Sequence, residues 1–374
     1  MTMVLGGKVS GLDGSIGDAT IAIRDGLIES LDSDRATIGF DGCTILPGFI
    51  DIHIHGSHGH DVMDSDQAAL DDLGLFLAGR GVTSYLATTV TAPLDRLLTA
   101  LDRIGGIIER GRTKGAQPVG IHLEGPFISH AKCGVHPTGD LLEPSLELFE
   151  KFWQASHGWL KIMTIAPELP NALEVIARAT ALGVRVSLGH SNATLAETLP
   201  AIAAGAASAT HVFNAMRALD HREPGILGAV LDGELYCELI ADGVHVDPLV
   251  IRLLARAKRH DRIVLITDAI SATGMPDGRY KLGNLDVDVA NGECRHDGML
   301  AGSVLTLDRG VANFAGFTGL SPAQCAMMAT ENPARLLGLA DRGRIAPGCR
   351  ADLAVHAPDG RIIQSFVGGV PVIN

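Results

Sequence analysis

Two histidines one residue apart, His53 and His55, end the apolar run Leu46-Pro47-Gly48-Phe49-Ile50-Asp51-Ile52-His53-Ile54-His55-Gly56. In a strand the side chains alternate between faces with period 2, so both imidazoles project the same way from one rigid support. Imidazole nitrogen suits zinc, iron and similar ions. Taken alone, such a pair is as readily two ordinary histidines near a strand end, so partners must decide. Further candidates follow other apolar runs: Glu124 after Val119-Gly120-Ile121-His122-Leu123, His190 after 184–189, His211 after 207–210 and Asp268 after Ile263-Val264-Leu265-Ile266-Thr267. A His/carboxylate set without a Cys ligand suits a catalytic divalent metal, which keeps an open position for water and lowers that water's pKa towards neutrality. Glu124, His190 and His211 complete a three-ligand site of that kind. His53 and His55 add capacity for a second ion, with Glu124 placed to bridge. Asp268 is suited to orient the water, accept its proton and pass it to a leaving group.

Those side chains meet only if their supports bring them together. Apolar strand-like runs alternate with helical patterns through the middle of the chain, the signature of βα units and a parallel sheet. Strands read at 50–55, 84–89, 119–123, 160–165, 184–189, 207–211, 236–240 and 263–267. Helical stretches intervene, for example 65–80 with Leu70, Leu73, Phe76 and Leu77 on one face, and 248–259 with Val250, Leu253 and Leu254. Eight such units predict an α/β fold of the (β/α)8 TIM-like barrel type, whose active sites lie at the C-terminal ends of the strands. The rival, a doubly wound open sheet, calls for a Gly-rich phosphate turn after its first strand, and the sequence has none there. In the barrel, four histidines, Glu124 and Asp268 converge on one rim.

Short β segments before residue 45 and a matching texture near the C-terminus, with Asp25-Gly26 and Asp359-Gly360 as turns, predict a small β-sandwich domain. It is built from both chain ends, residues 1–45 and 345–374, around a barrel of 46–344. Asp277-Gly278, Asn291-Gly292 and Asp297-Gly298 predict a β-hairpin excursion after the eighth strand. Asn332 and Pro333 read as N-cap and first residue of a closing helix that ends at Gly338.

Composition narrows the partners. The 374 residues carry 30 Lys+Arg against 43 Asp+Glu, a net charge of −13, so the mean field repels phosphate backbones and anionic lipid. Nucleic acid and membrane surface are therefore excluded as partners, whereas a locally basic pocket for a small anion is compatible. No apolar run approaches the roughly 18 residues of a membrane span, and the first seven residues lack a basic n-region followed by an apolar h-region, so the expected address is the cytoplasm. The six scattered cysteines, without Cys-x-x-Cys, fit reduced thiols. Cys133, in a polar loop, is the one expected near chemistry.

The motifs Pro47-Gly48-Phe49-Ile50-Asp51-Ile52-His53-Ile54-His55-Gly56, His122-Leu123-Glu124-Gly125-Pro126-Phe127, Gly189-His190-Ser191-Asn192-Ala193, His211-Val212-Phe213-Asn214-Ala215-Met216, Asp242-Gly243-Val244-His245 and Thr267-Asp268-Ala269 together resemble the N-acetylglucosamine-6-phosphate deacetylases of the amidohydrolase superfamily. The resemblance runs in order along essentially the whole chain. The His-x-His segment marks only the superfamily; the Glu-Gly-Pro-Phe and Phe-Asn-Ala-Met pair is more specific. Many binuclear superfamily members bridge their metals with a carboxylated lysine at the end of the fourth strand. That end here reads Met163-Thr164-Ile165-Ala166, so Glu124 takes the lysine's place. Some of these deacetylases lack the first-strand histidine pair and hold a single metal. This chain keeps both, which implies zinc or iron at Glu124/His190/His211 and capacity for a second ion.

The resemblance implies the rest of the site. Arg222 and His245 bind the sugar phosphate, Asn214 and Ala215 offer donors, and Leu300, Ala301 and Gly302 line the sugar and acetyl end. Val135 belongs to the same wall, and His136 helps polarise the acetamide carbonyl. His58 and His60 read as pocket rim. Similar enzymes are homodimers in which a neighbouring subunit helps reach the phosphate. The implied activity is metal-dependent hydrolysis of N-acetyl-D-glucosamine 6-phosphate to glucosamine 6-phosphate and acetate, in amino-sugar catabolism or recycling. Its rivals are a deacetylase of the galactosamine epimer, another amidohydrolase reaction and, least favoured, a metal-free scaffold protein.

Overall fold

The eight apolar runs form eight parallel strands in sequence order, Phe49–Ile54, Val82–Thr89, Gln117–Glu124, Leu160–Ile165, Arg185–Leu188, Ala206–Ala209, Tyr236–Ile240 and Ile263–Ile266. The structure is a computed structural model and describes residues 2–11, 15–32, 36–111 and 113–372. Helices follow the strands and pack outside them. The first, Gln67–Ala78, buries Leu70, Leu73 and Leu77, and the second, Leu94–Arg110, buries Leu97, Leu101, Ile104 and Ile108. These meet Tyr85, Ala87, Ile121 and Leu123 of the strands in one apolar cluster, the spacing expected of one helix face against a sheet. The 248–259 helix is Pro248–Ala257, capped by Asp247.

The barrel closes between its eighth and first strands, where ladder bonds are few. Asp268 N–H donates to His53 O at 2.9 Å and His55 N–H to Ala269 O at 2.8 Å. The buried Asp51 carboxylate adds a side-chain clasp by accepting the Thr267 hydroxyl at 2.7 Å. The seam that needs this clasp carries three of the candidate functional residues, His53, His55 and Asp268.

The two chain ends do pair. The expected sandwich takes the form of one continuous seven-stranded sheet in the order Val370–Val372, Ile362–Val367, Leu353–His356, Ile38–Pro47, Met3–Ser10, Ile16–Arg24, Leu27–Leu31. It wraps so that Leu27 and Ile28 bond back to 348–351, enclosing Leu5, Ile21, Ile45, Leu353 and Phe366. The sheet hands over to the barrel at Gly48, where a Cβ would lie 2.2 Å from the Thr83 side chain. Of the expected end segments, residues 1, 12–14, 33–35, 373 and 374 lie outside the described residues.

After the eighth strand comes a four-stranded antiparallel sheet, Gly278–Leu282, Leu285–Ala290, Glu293–His296 and Met299–Leu300. Asn291-Gly292 and Asp297-Gly298 turn it with positive φ at both residues, as type I′ turns require. Asp277-Gly278 is not a hairpin turn; it leads into the first strand, and the turn falls at Gly283-Asn284. The closing helix, Glu331–Leu337, also starts earlier than expected. Thr330 is its N-cap, and Asn332 lies inside the first turn, where its amide donates to the carbonyls of His260 and Ile263 instead of capping its own helix. Gly338 does end it.

Candidate metal centre and active-site cavity

The six candidate side chains are delivered by the ends of five strands or by the residues just past them. His53 lies in the first strand and His55 one residue beyond; Glu124 ends the third; His190, His211 and Asp268 follow the fifth, sixth and eighth by two residues. His190 (φ 47°), His211 (φ 28°) and Asp268 (φ 52°) adopt left-handed backbone. Such conformations cost about 1–3 kcal/mol each and gather where a site over-determines them.

Two ligand sets share Glu124: His53/His55/Glu124 and Glu124/His190/His211, each buried with its ligand atoms within 4.8 Å of one another. His190 Nε2 and His211 Nε2 are 3.0 Å apart and lie 3.2 and 3.0 Å from Glu124 Oε1. A tetrahedral ion with bonds of about 2.0–2.1 Å holds its ligands about 3.3 Å apart, close to this triangle. His55 Nε2 lies 3.2 Å from Glu124 Oε2 and 3.1 Å from Asp268 Oδ1. His53 Nε2 is 3.4 Å from Glu124 Oε1 and 3.5 Å from Asp268 Oδ1, yet it is buried without a hydrogen-bond partner. A buried polar atom of that kind is costly unless something else meets it. The donor set therefore fits one divalent cation at Glu124/His190/His211 and a second at His53/His55/Glu124.

The far sides of the rings point the same way. His55 Nδ1 bonds Thr88 O at 3.2 Å and His190 Nδ1 bonds Lys132 O at 3.0 Å. A carbonyl only accepts, so Nδ1 carries the proton and Nε2 presents its lone pair to the centre. His53 Nδ1 faces the fully buried Glu238 carboxylate at 3.3 Å. From Glu238 a buried polar chain runs through Ser187, Thr210 and Thr164 to His122, in steps of 3.1, 2.7, 2.8 and 2.8 Å. Thr164 stands in register with Glu124, at the strand end where other superfamily members were expected to place a lysine.

Electrostatics favour cations here. Burial alone would raise the Glu124 carboxyl, but the charge of His53 and the close approach of His190 and His211 hold it well below the usual range. Asp268 is likewise depressed against its burial by the bond from His55 and the charges of His53 and His55. Burial opposes charge on His55, yet Asp268 and Glu124 raise it to about 9, and Glu124 chiefly raises His53. Carboxylates that hold protons on two buried imidazoles hold a divalent ion in their place.

Above the centre is a cavity of about 190 Å³. Val135, His136, Asn214, Ala215, His245, Leu300 and Gly302 line it together with His55, Glu124, His190, His211 and Asp268. Burial and the charge of His190 push His136 down to about 3, so its ring is neutral. His245 pairs with Asp242 at 2.6 Å, and that bond raises it although burial opposes the charge. Ala301 is buried behind the wall with Ile270 and Val287. The Asn214 amide donates to the carbonyls of His211 and Val212, bracing the turn that carries His211. Arg222 is exposed, on a loop outside the walls of the cavity. His58 stacks on Phe76 and His60 pairs with Asp72, both away from the lining. Cys133 is partly exposed beside Gly134 of the lining, whereas the other five cysteines are buried, and all six are unpaired.

Several contributors escaped the sequence reading. Glu238 had a visible signal, a carboxylate inside the apolar strand Tyr236–Ile240. Thr164, Ser187 and Thr210 look like ordinary strand residues until the barrel turns them inward. Leu282 reaches the cavity from the hairpin sheet, which Asp61 helps pin over the site by accepting the neighbouring Gly283 N–H at 2.7 Å.

Residues 44–372 match the amidohydrolase family model. The chain is 41% identical over 361 residues to N-acetylgalactosamine-6-phosphate deacetylase of Escherichia coli O157:H7, covering 96% of this chain and 95% of that one. It is 37% identical to N-acetylglucosamine-6-phosphate deacetylase of Bacillus subtilis (strain 168), covering 93% and 91%. Among solved structures, a mutant N-acetyl-D-glucosamine-6-phosphate deacetylase from Mycobacterium smegmatis in complex with N-acetyl-D-glucosamine-6-phosphate superposes with TM-score 0.94 at 32% identity, over 100% of both chains. The N-acetylglucosamine-6-phosphate deacetylase of Thermotoga maritima gives TM-score 0.90 at 35% identity, again over 100% of both. The chain thus belongs to the amidohydrolase family, in the branch that holds the N-acetylglucosamine-6-phosphate deacetylases.

Proposed function

We propose that the protein hydrolyses the acetamide of N-acetyl-D-glucosamine 6-phosphate, releasing acetate and D-glucosamine 6-phosphate. The observation that carries this reading is the Asp268 carboxylate, held ionised beside two ligand triads at the floor of a sugar-sized cavity. A bound divalent cation, zinc or iron, supplies Lewis acidity to the carbonyl and acidity to water. Asp268 orients the attacking water and accepts its proton as oxygen adds to the carbonyl carbon. His136 Nε2, 3.7 Å from Glu124 Oε2 and aimed into the cavity, donates to the carbonyl oxygen as negative charge grows there. Asp268 then returns the proton to the amine nitrogen while the C–N bond breaks.

Phosphate binding falls to His245, whose charged form Asp242 favours, and to Arg222, whose fork suits phosphate oxygens. An exposed Arg222 outside the cavity walls accords with a homodimer in which it serves a neighbouring subunit's site. Among the described residues no helix is long and apolar enough to cross a membrane. The reading extends to a cytoplasmic enzyme of amino-sugar recycling.

A second reading is the galactosamine epimer, favoured by the 41% identity to the Escherichia coli relative. One assay separates the readings: acetate release from N-acetylglucosamine, N-acetylgalactosamine and their 6-phosphates. Highest kcat/KM with N-acetylglucosamine 6-phosphate supports the first, highest with its epimer the second. Equal turnover of the unphosphorylated sugars refutes the phosphate site.

A further inference from the structure

We propose that Thr91 is a positioning residue that fixes His136 in the tautomer able to donate a hydrogen bond to the reacting carbonyl, an inference that rests on the deacetylase reading above. Thr91 lies two residues past the second barrel strand, a strand end to which the sequence reading gave no role. It is buried, and two of its atoms meet the same ring nitrogen. The Thr91 backbone N–H donates to His136 Nδ1 at 3.4 Å, and the Thr91 hydroxyl lies 2.8 Å from that nitrogen.

A backbone N–H can only donate, so His136 Nδ1 must face it with a lone pair. A neutral imidazole has one ring proton, which then sits on Nε2. Nε2 is the atom aimed into the cavity. In the opposite tautomer Nδ1–H would meet the Thr91 N–H head on, and the Nε2 lone pair would repel both the Glu124 carboxylate and any oxyanion forming beside it. The hydroxyl sharpens this choice, because it rotates to donate to a lone pair on Nδ1.

The loop from the third strand is shaped around that hydroxyl. Gly125 takes φ 72°, and a Cβ there would lie 2.1 Å from Thr91 Oγ1. Glycine at 125 therefore lets the turn after Glu124 close over Thr91, placing ligand, hydroxyl and imidazole in one contact chain.

The test compares wild-type, Thr91→Val and Thr91→Ser proteins loaded with zinc. Metal per chain, kcat and KM for N-acetylglucosamine 6-phosphate, and the 15N spectrum of the ring-labelled histidines are measured, with the His136 signals assigned from a His136→Gln variant. Wild type should show His136 protonated on Nε2 alone. Thr91→Val, which keeps the shape and the backbone donor, should shift the His136 signals towards tautomer averaging and lower kcat about tenfold, the worth of one neutral hydrogen bond. KM and metal content should stay within about twofold of wild type, and Thr91→Ser should restore kcat. A wild-type spectrum with the proton on Nδ1 overturns the proposal whatever the kinetics. So does a Thr91→Val protein with wild-type kcat and spectrum, or one whose kcat falls only because metal is lost. A wild-type protein that releases no acetate refutes the deacetylase reading instead, and leaves the tautomer to be judged by the spectrum alone.

Discussion

The Nε2 atoms of His190 and His211 face each other across 3.0 Å, and Glu124 Oε1 lies within 3.2 Å of both. Two imidazole nitrogens and a carboxylate oxygen at that spacing are a poor hydrogen-bond cluster and a good cation seat, since His190 already spends its Nδ1 proton on Lys132 O. His211→Ala should therefore remove the ion held by this triad and lower kcat about a thousandfold, the several kcal/mol of charge stabilisation a catalytic cation supplies. Metal analysis alongside acetate release checks it. Full metal content with wild-type turnover would contradict the assignment.

His53 and His55 serve the other triad, which shares only Glu124 with the first. Replacing both with alanine should lower metal content by one ion per chain while leaving measurable deacetylation. A double variant that retains two ions per chain would move the second site elsewhere.

Glu238 has no route to substrate, since it is fully buried beneath His53. Carboxylates that orient a metal-binding imidazole are worth about 10–100-fold in metal affinity. Glu238→Gln should weaken the first-strand ion by that factor, read by titration with a competing chelator, and leave the Glu124/His190/His211 ion in place. Loss of both ions together would make Glu238 a folding residue only.

His245 supplies a pH dependence with a definite sign. Burial opposes its charge, but Asp242 raises it above the ordinary value of 6.5 and is itself lowered, so the charged pair persists to higher pH than a free imidazole would. The ring loses its proton as pH rises through that raised pKa. Above about pH 7, where a sugar phosphate is close to fully dianionic, KM for the 6-phosphate should rise with pH, and His245→Gln should abolish the rise. A flat KM profile in wild type would remove His245 from the phosphate site.

The barrel was legible in the sequence because parallel strands buried on both faces read as apolar runs, and all eight stand where those runs lie. The ligands were legible for a related reason: His190, His211 and Asp268 break the apolar pattern at the ends of their strands. Thr91, Thr164 and Thr210 were not, since a threonine has the same β-branched shape in a wall or in a network, and only the closed barrel shows which neighbours it meets. Asn332 was misread because its local signal, a capping side chain before proline, lost to two buried carbonyls that needed a donor.

Asp268 bears the most direct test. It sits 3.1 Å from His55 Nε2 and carries the proton transfers on which the proposed hydrolysis depends. The measurement is kcat for acetate release from N-acetylglucosamine 6-phosphate by Asp268→Asn protein of known metal content. The account predicts retention of the Glu124/His190/His211 ion with kcat reduced at least about a thousandfold, within the range of a lost general base. Near wild-type kcat in a metal-replete Asp268→Asn protein would contradict it.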